Sequence, residues 1–145
     1  MLKFVRVIFA FCLLAIGLAA CAPAVEPHPG QISFNATEGD ESEVFLIKTL
    51  ENKYSNLTNV PSEELWSSWS PDGKQMALMS YAPGNFDVFI LDTTKSEMRN
   101  ITKNEAADGW PSWSPDGTRI AFASDRGGDF DIYVMNIDGT GLINV

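Results

Sequence analysis

The chain has 145 residues, 45% of them apolar by type, with 10 Lys and Arg against 19 Asp and Glu and a formal net charge of −9. That length suits one domain. The acidity argues against a nucleic-acid surface, which needs Lys and Arg to meet phosphates, and against a polybasic membrane patch. Both cysteines, Cys12 and Cys21, lie in the first 21 residues, so no disulfide framework is available and buried apolar surface must hold the fold.

At the start, Lys3 and Arg6 precede an almost wholly apolar stretch from Val7 to Leu18. It falls short of the roughly 20 residues that span a bilayer and fits the apolar region of a secretory signal over 1–20. Leu18-Ala19-Ala20-Cys21 follows at once and resembles the lipobox of bacterial lipoproteins. The resemblance implies cleavage before Cys21, a diacylglyceryl thioether on its sulfur, and an extracytoplasmic protein anchored by lipid to the cell membrane or outer membrane. Loss of Lys3 and Arg6 leaves 8 basic against 19 acidic residues, a net charge of −11. Residues 21–31 contain Pro23, Pro27, Pro29 and Gly30 and read as an extended tether. The tether carries His28, the single histidine of the chain.

From residue 32 onward the chain repeats itself. Trp66-Ser67-Ser68-Trp69-Ser70-Pro71-Asp72-Gly73 returns 44 residues later as Trp110-Pro111-Ser112-Trp113-Ser114-Pro115-Asp116-Gly117. Residues 56–101 laid on 100–145 need no gap and agree at about 15 of 46 positions. A fainter copy precedes these, with Ile32-Ser33-Phe34 and Glu43 to Ile47 in step with Met76-Ala77-Leu78 and Asp87 to Leu91. The copies lie near 32–58, 65–102 and 109–145, and the first lacks a Trp-Ser-Pro-Asp-Gly opening.

Each full copy predicts four short strands. In the last, Trp110 to Trp113 is a strand closed by a Ser-Pro-Asp-Gly turn, in which Pro115 presets φ, Asp116 accepts backbone hydrogen bonds and Gly117 takes positive φ. Arg119 to Ser124 alternates large and small side chains. Asp125 to Asp129 is a Gly-rich hairpin, and Asp131 to Met135 is β-branched and aromatic. Four antiparallel strands in 40 to 45 residues describe a propeller blade. Blades hide their apolar faces against one another, and Ile120, Phe122, Ile132 and Val134 are the expected seam. Trp69 and Trp113 add large apolar area to it.

Trp-Ser-Pro-Asp-Gly, an Ile-Ala-Phe strand, Asp-Arg-Gly-Gly and Asp-Ile-Tyr-Val-Met-Asn together resemble the Pro-Asp-type, WD-like repeat of TolB-like β-propellers. The resemblance covers nearly all of 32–145. It implies an all-β fold of four-stranded blades, about two and three quarter of them here against about six in a closed ring. A fragment of a longer propeller, or a half-ring that self-associates through its open edges, is the expectation.

Gly-x-Ser-x-Gly, His-Glu-x-x-His, a phosphate-binding loop and Gly-x-Gly-x-x-Gly are all absent, and His28 sits in the tether, so the sequence describes no catalytic constellation. It implies no cofactor and no metal. Asp125, Asp129 and Asp131 read as a solvated hairpin, because the preceding copy has Tyr81, Asn85 and Asp87 there. Trp69, Pro71, Asp72, Gly73, Trp113, Pro115, Asp116 and Gly117 are structural repeat residues. Trp66 and Trp110 are the candidate ligand-binding rim, with Glu64 and Asp108 two residues before them expected to make that rim acidic. The reading is a lipid-anchored module that binds a protein or peptide. The alternatives are the propeller of a prolyl-oligopeptidase-like hydrolase and a carbohydrate-binding propeller.

Overall fold

The computed structural model describes residues 31–38, 41–82 and 84–145; the apolar leader, Cys21 and His28 lie outside the described residues. Three antiparallel sheets follow one another along the chain, and no helix occurs among the described residues. The first sheet holds β1 (Gln31–Glu38), β2 (Glu41–Lys48) and β3 (Lys53–Asn56). The second holds β4 (Glu64–Trp69), β5 (Gln75–Ala82), β6 (Asn85–Asp92) and β7 (Glu97–Asn100). The third holds β8 (Asp108–Trp113), β9 (Arg119–Ser124), β10 (Asp131–Asn136) and β11 (Ile143–Asn144). In each sheet the strands lie side by side in chain order, as in propeller blades.

The Trp-Ser-Pro-Asp-Gly corners form the same way twice. The Ser70 hydroxyl donates to Asp72 and accepts the Gln75 N–H, and Asp72 in turn accepts the Lys74 N–H. One repeat later Ser114, Asp116, Arg119 and Thr118 make the same bonds. Gly73 and Gly117 hold φ of 67° and 72°, a region where a side chain is penalised. The recurrence reaches further into the backbone. Positive φ at Asn52, Asn59 and Trp66 returns at Ser96, Lys103 and Trp110.

Alternate residues of each blade face opposite neighbours. Val44, Leu46 and Leu57 of the first blade meet Met76, Leu78 and Leu91 of the second, with Trp69 and Phe89 at the edge. Ala77, Val88, Ile90 and Ile101 on the second blade's other face meet Ile120, Phe122, Tyr133 and Met135 of the third, with Trp113 and Ile137 beside them. Full burial of a side chain such as Leu78 or Phe122 contributes about 1.5–3 kcal/mol. The tryptophans also bond across the seams. The Trp69 indole N–H donates to the Ser33 hydroxyl at 2.9 Å, and that of Trp113 donates to the Ser68 carbonyl at 3.1 Å. The two corners therefore occupy like environments.

One expectation needs correcting. Ile132 and Val134 do not share the seam with Ile120 and Phe122, and Ile132 is 50% exposed. The β9–β10 register pairs Tyr133 with Phe122 and Met135 with Ile120, and directly opposed residues point to one face. Ile132 and Val134 instead pair with Ala123 and Ala121 on the third blade's other face. The first blade likewise presents Ile32, Phe34 and Tyr54 on a face turned away from the second.

Candidate ligand-binding rim

The innermost strands of the second and third blades, β4 and β8, each carry a bulge. Their registers with β5 and β9 shift between Leu65 and Ser68 and between Gly109 and Ser112. A bulge inserts an unpaired residue and turns its side chain out of the ladder. Trp66 and Trp110 occupy these bulges with φ of 50° and 52°, a costly region for a bulky residue. Next to the second bulge, Gly109 lies so close to the Met79 side chain of the preceding blade that no Cβ would fit without displacing it.

The bulges leave Trp66 59% and Trp110 50% exposed. Trp110 meets Phe130 edge to face at 5.7 Å between ring centroids, and Tyr81 meets Phe86 in the same manner at 5.0 Å. Phe130 and Tyr81 are themselves exposed. Adjacent blades thus display large flat rings beside their inner strands, in conformations fixed by the bulge and by ring contacts. Such rings stack on planar or apolar groups with little loss of side-chain entropy. Residues 81, 86 and 130 were not singled out by sequence reasoning. The signal available was their place beside the hairpin tips, since Phe86 and Phe130 align across the repeat.

Glu64 and Asp108 do not make the rim acidic: both are 0% exposed. They begin β4 and β8 with side chains turned inward. The Arg126 guanidinium donates to both Asp108 carboxylate oxygens, at 2.9 and 3.0 Å, and to the Ser124 hydroxyl. It lies 5.4 Å from the Phe122 ring centroid and 5.0 Å from that of Tyr133, within cation–π range. Among the described residues Glu64 has no such base. The Ser62 and Ser80 hydroxyls donate to its Oε1, while its buried Oε2 has no hydrogen-bond partner there. Burial raises the Glu64 carboxyl above the ordinary glutamate value, the Ser62, Ser80 and Thr58 hydroxyls oppose that rise, and the charge of Glu43 adds to it.

Asp125 of the hairpin loop and Asp131 of β10 are also engaged. Asp125 accepts the Ala107 N–H at 2.8 Å, and Asp131 accepts the Asn144 amide at 3.1 Å. Asp72 and Asp116 serve their turns. The Ser114 hydroxyl, then the Thr118 N–H and hydroxyl, hold Asp116 down to about 2.

Comparison with known proteins agrees with this architecture. The family described as TolB beta propeller domain matches residues 13–145. A structure described as a TolB from Agrobacterium tumefaciens is similar, with 26% identity and a TM-score of 0.74 over 82% of this chain and 43% of that one. TolB from Acinetobacter baumannii is similar at 23% identity and a TM-score of 0.70, over 81% of this chain and 30% of that one. An oligogalacturonate lyase from Vibrio parahaemolyticus shares the fold at 14% identity and a TM-score of 0.61, over 77% of this chain and 36% of that one. The chain spans less than half the length of each of these structures. Comparison with curated proteins gave no match.

Proposed function

The chain belongs to the TolB β-propeller domain family, and from that premise we propose that it is a non-catalytic binding module that captures an extended peptide segment of a partner at the rim beside Trp66 and Trp110. The observation that carries this reading is the pair of half-exposed tryptophans held on equivalent bulges in adjacent blades. Unfavourable backbone conformations cluster where function requires them. Exposed rings of this size are common binding anchors. With Glu64 and Asp108 inside the protein, the rim recognises apolar and planar side chains of the peptide, and the overall negative charge speeds the approach of basic partners.

The test is a random peptide display library panned on the immobilised full chain and on a Trp66→Ala, Trp110→Ala double variant. Enriched sequences should bind the wild type and lose at least tenfold in affinity on the variant, with melting temperatures alike. Equal binding to both proteins rejects the rim.

The same proposal includes export and lipid attachment at Cys21, supported by the lipobox-like Leu18 to Cys21 behind an apolar leader. Metabolic labelling with a fatty-acid analogue should mark the wild type and not a Cys21→Ser variant. The outward apolar faces of the first and third blades also favour self-association. A solution mass that stays monomeric across concentration rejects that part.

A further inference from the structure

The two blade seams end in equivalent polar clusters that differ by one base. In the seam between the second and third blades, Asp87 of β6 accepts from Thr102 and Asn100 across its own sheet, and Asp108 of β8 is held by Arg126. In the seam between the first and second blades, Glu43 of β2 accepts from Thr58, and Glu64 of β4 accepts from Ser62 and Ser80. Thr58 aligns with Thr102, Ser80 with Ser124, and Glu64 with Asp108; Ala82 stands where Arg126 stands one repeat later. Two acids thus share the first seam without the guanidinium that neutralises the second.

We propose that the seam between the first two blades is a proton-dependent joint, in which a proton on Glu64 Oε2 takes the place of the missing arginine. The hydrogen bonds assign the atom. Oε1 already accepts two hydroxyl donors, whereas buried Oε2 has no hydrogen-bond partner among the described residues; the nearby Thr58 hydroxyl has one proton and gives it to Glu43. An unpaired carboxylate in that position is strongly disfavoured, and a buried acid escapes the penalty by keeping its proton. Among the described residues, the groups turned toward Glu64 supply no positive charge. They are Glu43 from β2, Ser80 from β5, and Thr58 and Ser62 from the segment between β3 and β4. From β1, the Asn35 amide binds the Glu64 backbone carbonyl. The ion pairs among the described residues are Lys53–Glu51, Lys95–Asp92 and Arg126–Asp108, none of which includes Glu64 or Glu43.

The sign follows from linkage. Burial raises the folded-state value of Glu64, so the folded chain holds this proton more firmly than the unfolded chain does. The stabilisation is complete below the unfolded value and is lost as pH rises through the folded one. Loss of the proton puts two negative charges in one seam and loosens β4, the strand that presents Trp66 two residues further on.

The experiment compares the full wild-type chain with Glu64→Gln, following melting temperature from about pH 5 to about pH 9. The wild type should lose several degrees across that range. Glu64→Gln, which needs no proton, should lose most of that slope. Infrared spectra of the wild type across that range should contain a protonated-carboxyl band that Glu64→Gln lacks and that fades as the melting temperature falls. A wild-type spectrum without that band overturns the proposal whether or not the variant folds. So does a Glu64→Gln melting profile parallel to that of the wild type.

Discussion

The seam between the first and second blades and the seam between the second and third use the same apolar recipe and different polar ones. In each, aliphatic residues of one blade meet the strand pair that follows the next Trp-Ser-Pro-Asp-Gly corner, and the corner tryptophan bonds back to the preceding blade. At the polar end, the later seam closes on an arginine–aspartate pair and the earlier one on hydroxyls around an unpartnered glutamate oxygen. Apolar contacts are non-directional, so one pattern tolerates Leu78 in one blade and Phe122 in the other. Buried charge must be matched atom by atom, so the loss of a single base changes what the whole seam needs.

The largest expected effect tests the matched side of this contrast. Arg126→Ala leaves Asp108 buried without its counter-charge and should lower unfolding free energy by about 3–5 kcal/mol. Urea denaturation measures it, and a loss below about 1 kcal/mol means that the two seams are electrostatically alike.

Next come the apolar sides. Phe122→Ala should cost about 3–5 kcal/mol and Leu78→Ala about 2–5 kcal/mol, since both residues are buried at the same place in their blades. The contrast is sharpened if calorimetry finds overlapping losses. It breaks if one seam gives way far more easily than the other.

Smaller again is the indole bond. Trp69→Phe and Trp113→Phe should each cost about 1 kcal/mol for the lost hydrogen bond, measured by the same denaturation. Unequal values would show that the Ser33 hydroxyl and the Ser68 carbonyl are not equivalent anchors.

The smallest effect lies at the exposed corner. Asp116 titrates at about 2 in the folded protein, lower than a free aspartate, because the Ser114 hydroxyl and then the Thr118 N–H and hydroxyl stabilise its charge. That contribution is present above the ordinary aspartate value and is lost as pH falls through about 2. Melting temperatures taken from about pH 5 down to about pH 2 should fall less steeply for Ser114→Ala than for the wild type.

Blade architecture was legible because the corner residues announce their geometry. Proline, aspartate and glycine in that order leave the backbone few alternatives, and their return after 44 residues set the length of the unit. The facing of β10 was not legible. Ile132, Tyr133, Val134 and Met135 are all apolar, so alternation alone does not say which pair turns to the preceding blade; the pairing with β9 decides. The rim was half legible. The place of Trp66 and Trp110 in the repeat singled them out, but the bulges that expose them depend on backbone pairing that side-chain type does not encode. Glu64 and Asp108 were misplaced for a related reason. Acids normally face water, and what keeps Asp108 inside is an arginine 18 positions further on, whose partner only folding reveals.

The strict spacing of the left-handed backbone positions has a bearing on how the chain can change. Asn52 and Ser96, Asn59 and Lys103, Trp66 and Trp110, and Gly73 and Gly117 are separated by one constant interval. Unequal recombination that deletes or duplicates one whole interval rejoins like to like and keeps every kink in phase. An insertion of any other size inside a strand shifts its pairing by that many residues, whereas one in a connection or a hairpin tip such as Asp125 to Asp129 leaves the pairing intact. Divergence in length should therefore proceed by entire paddles or by growth at the connections and tips.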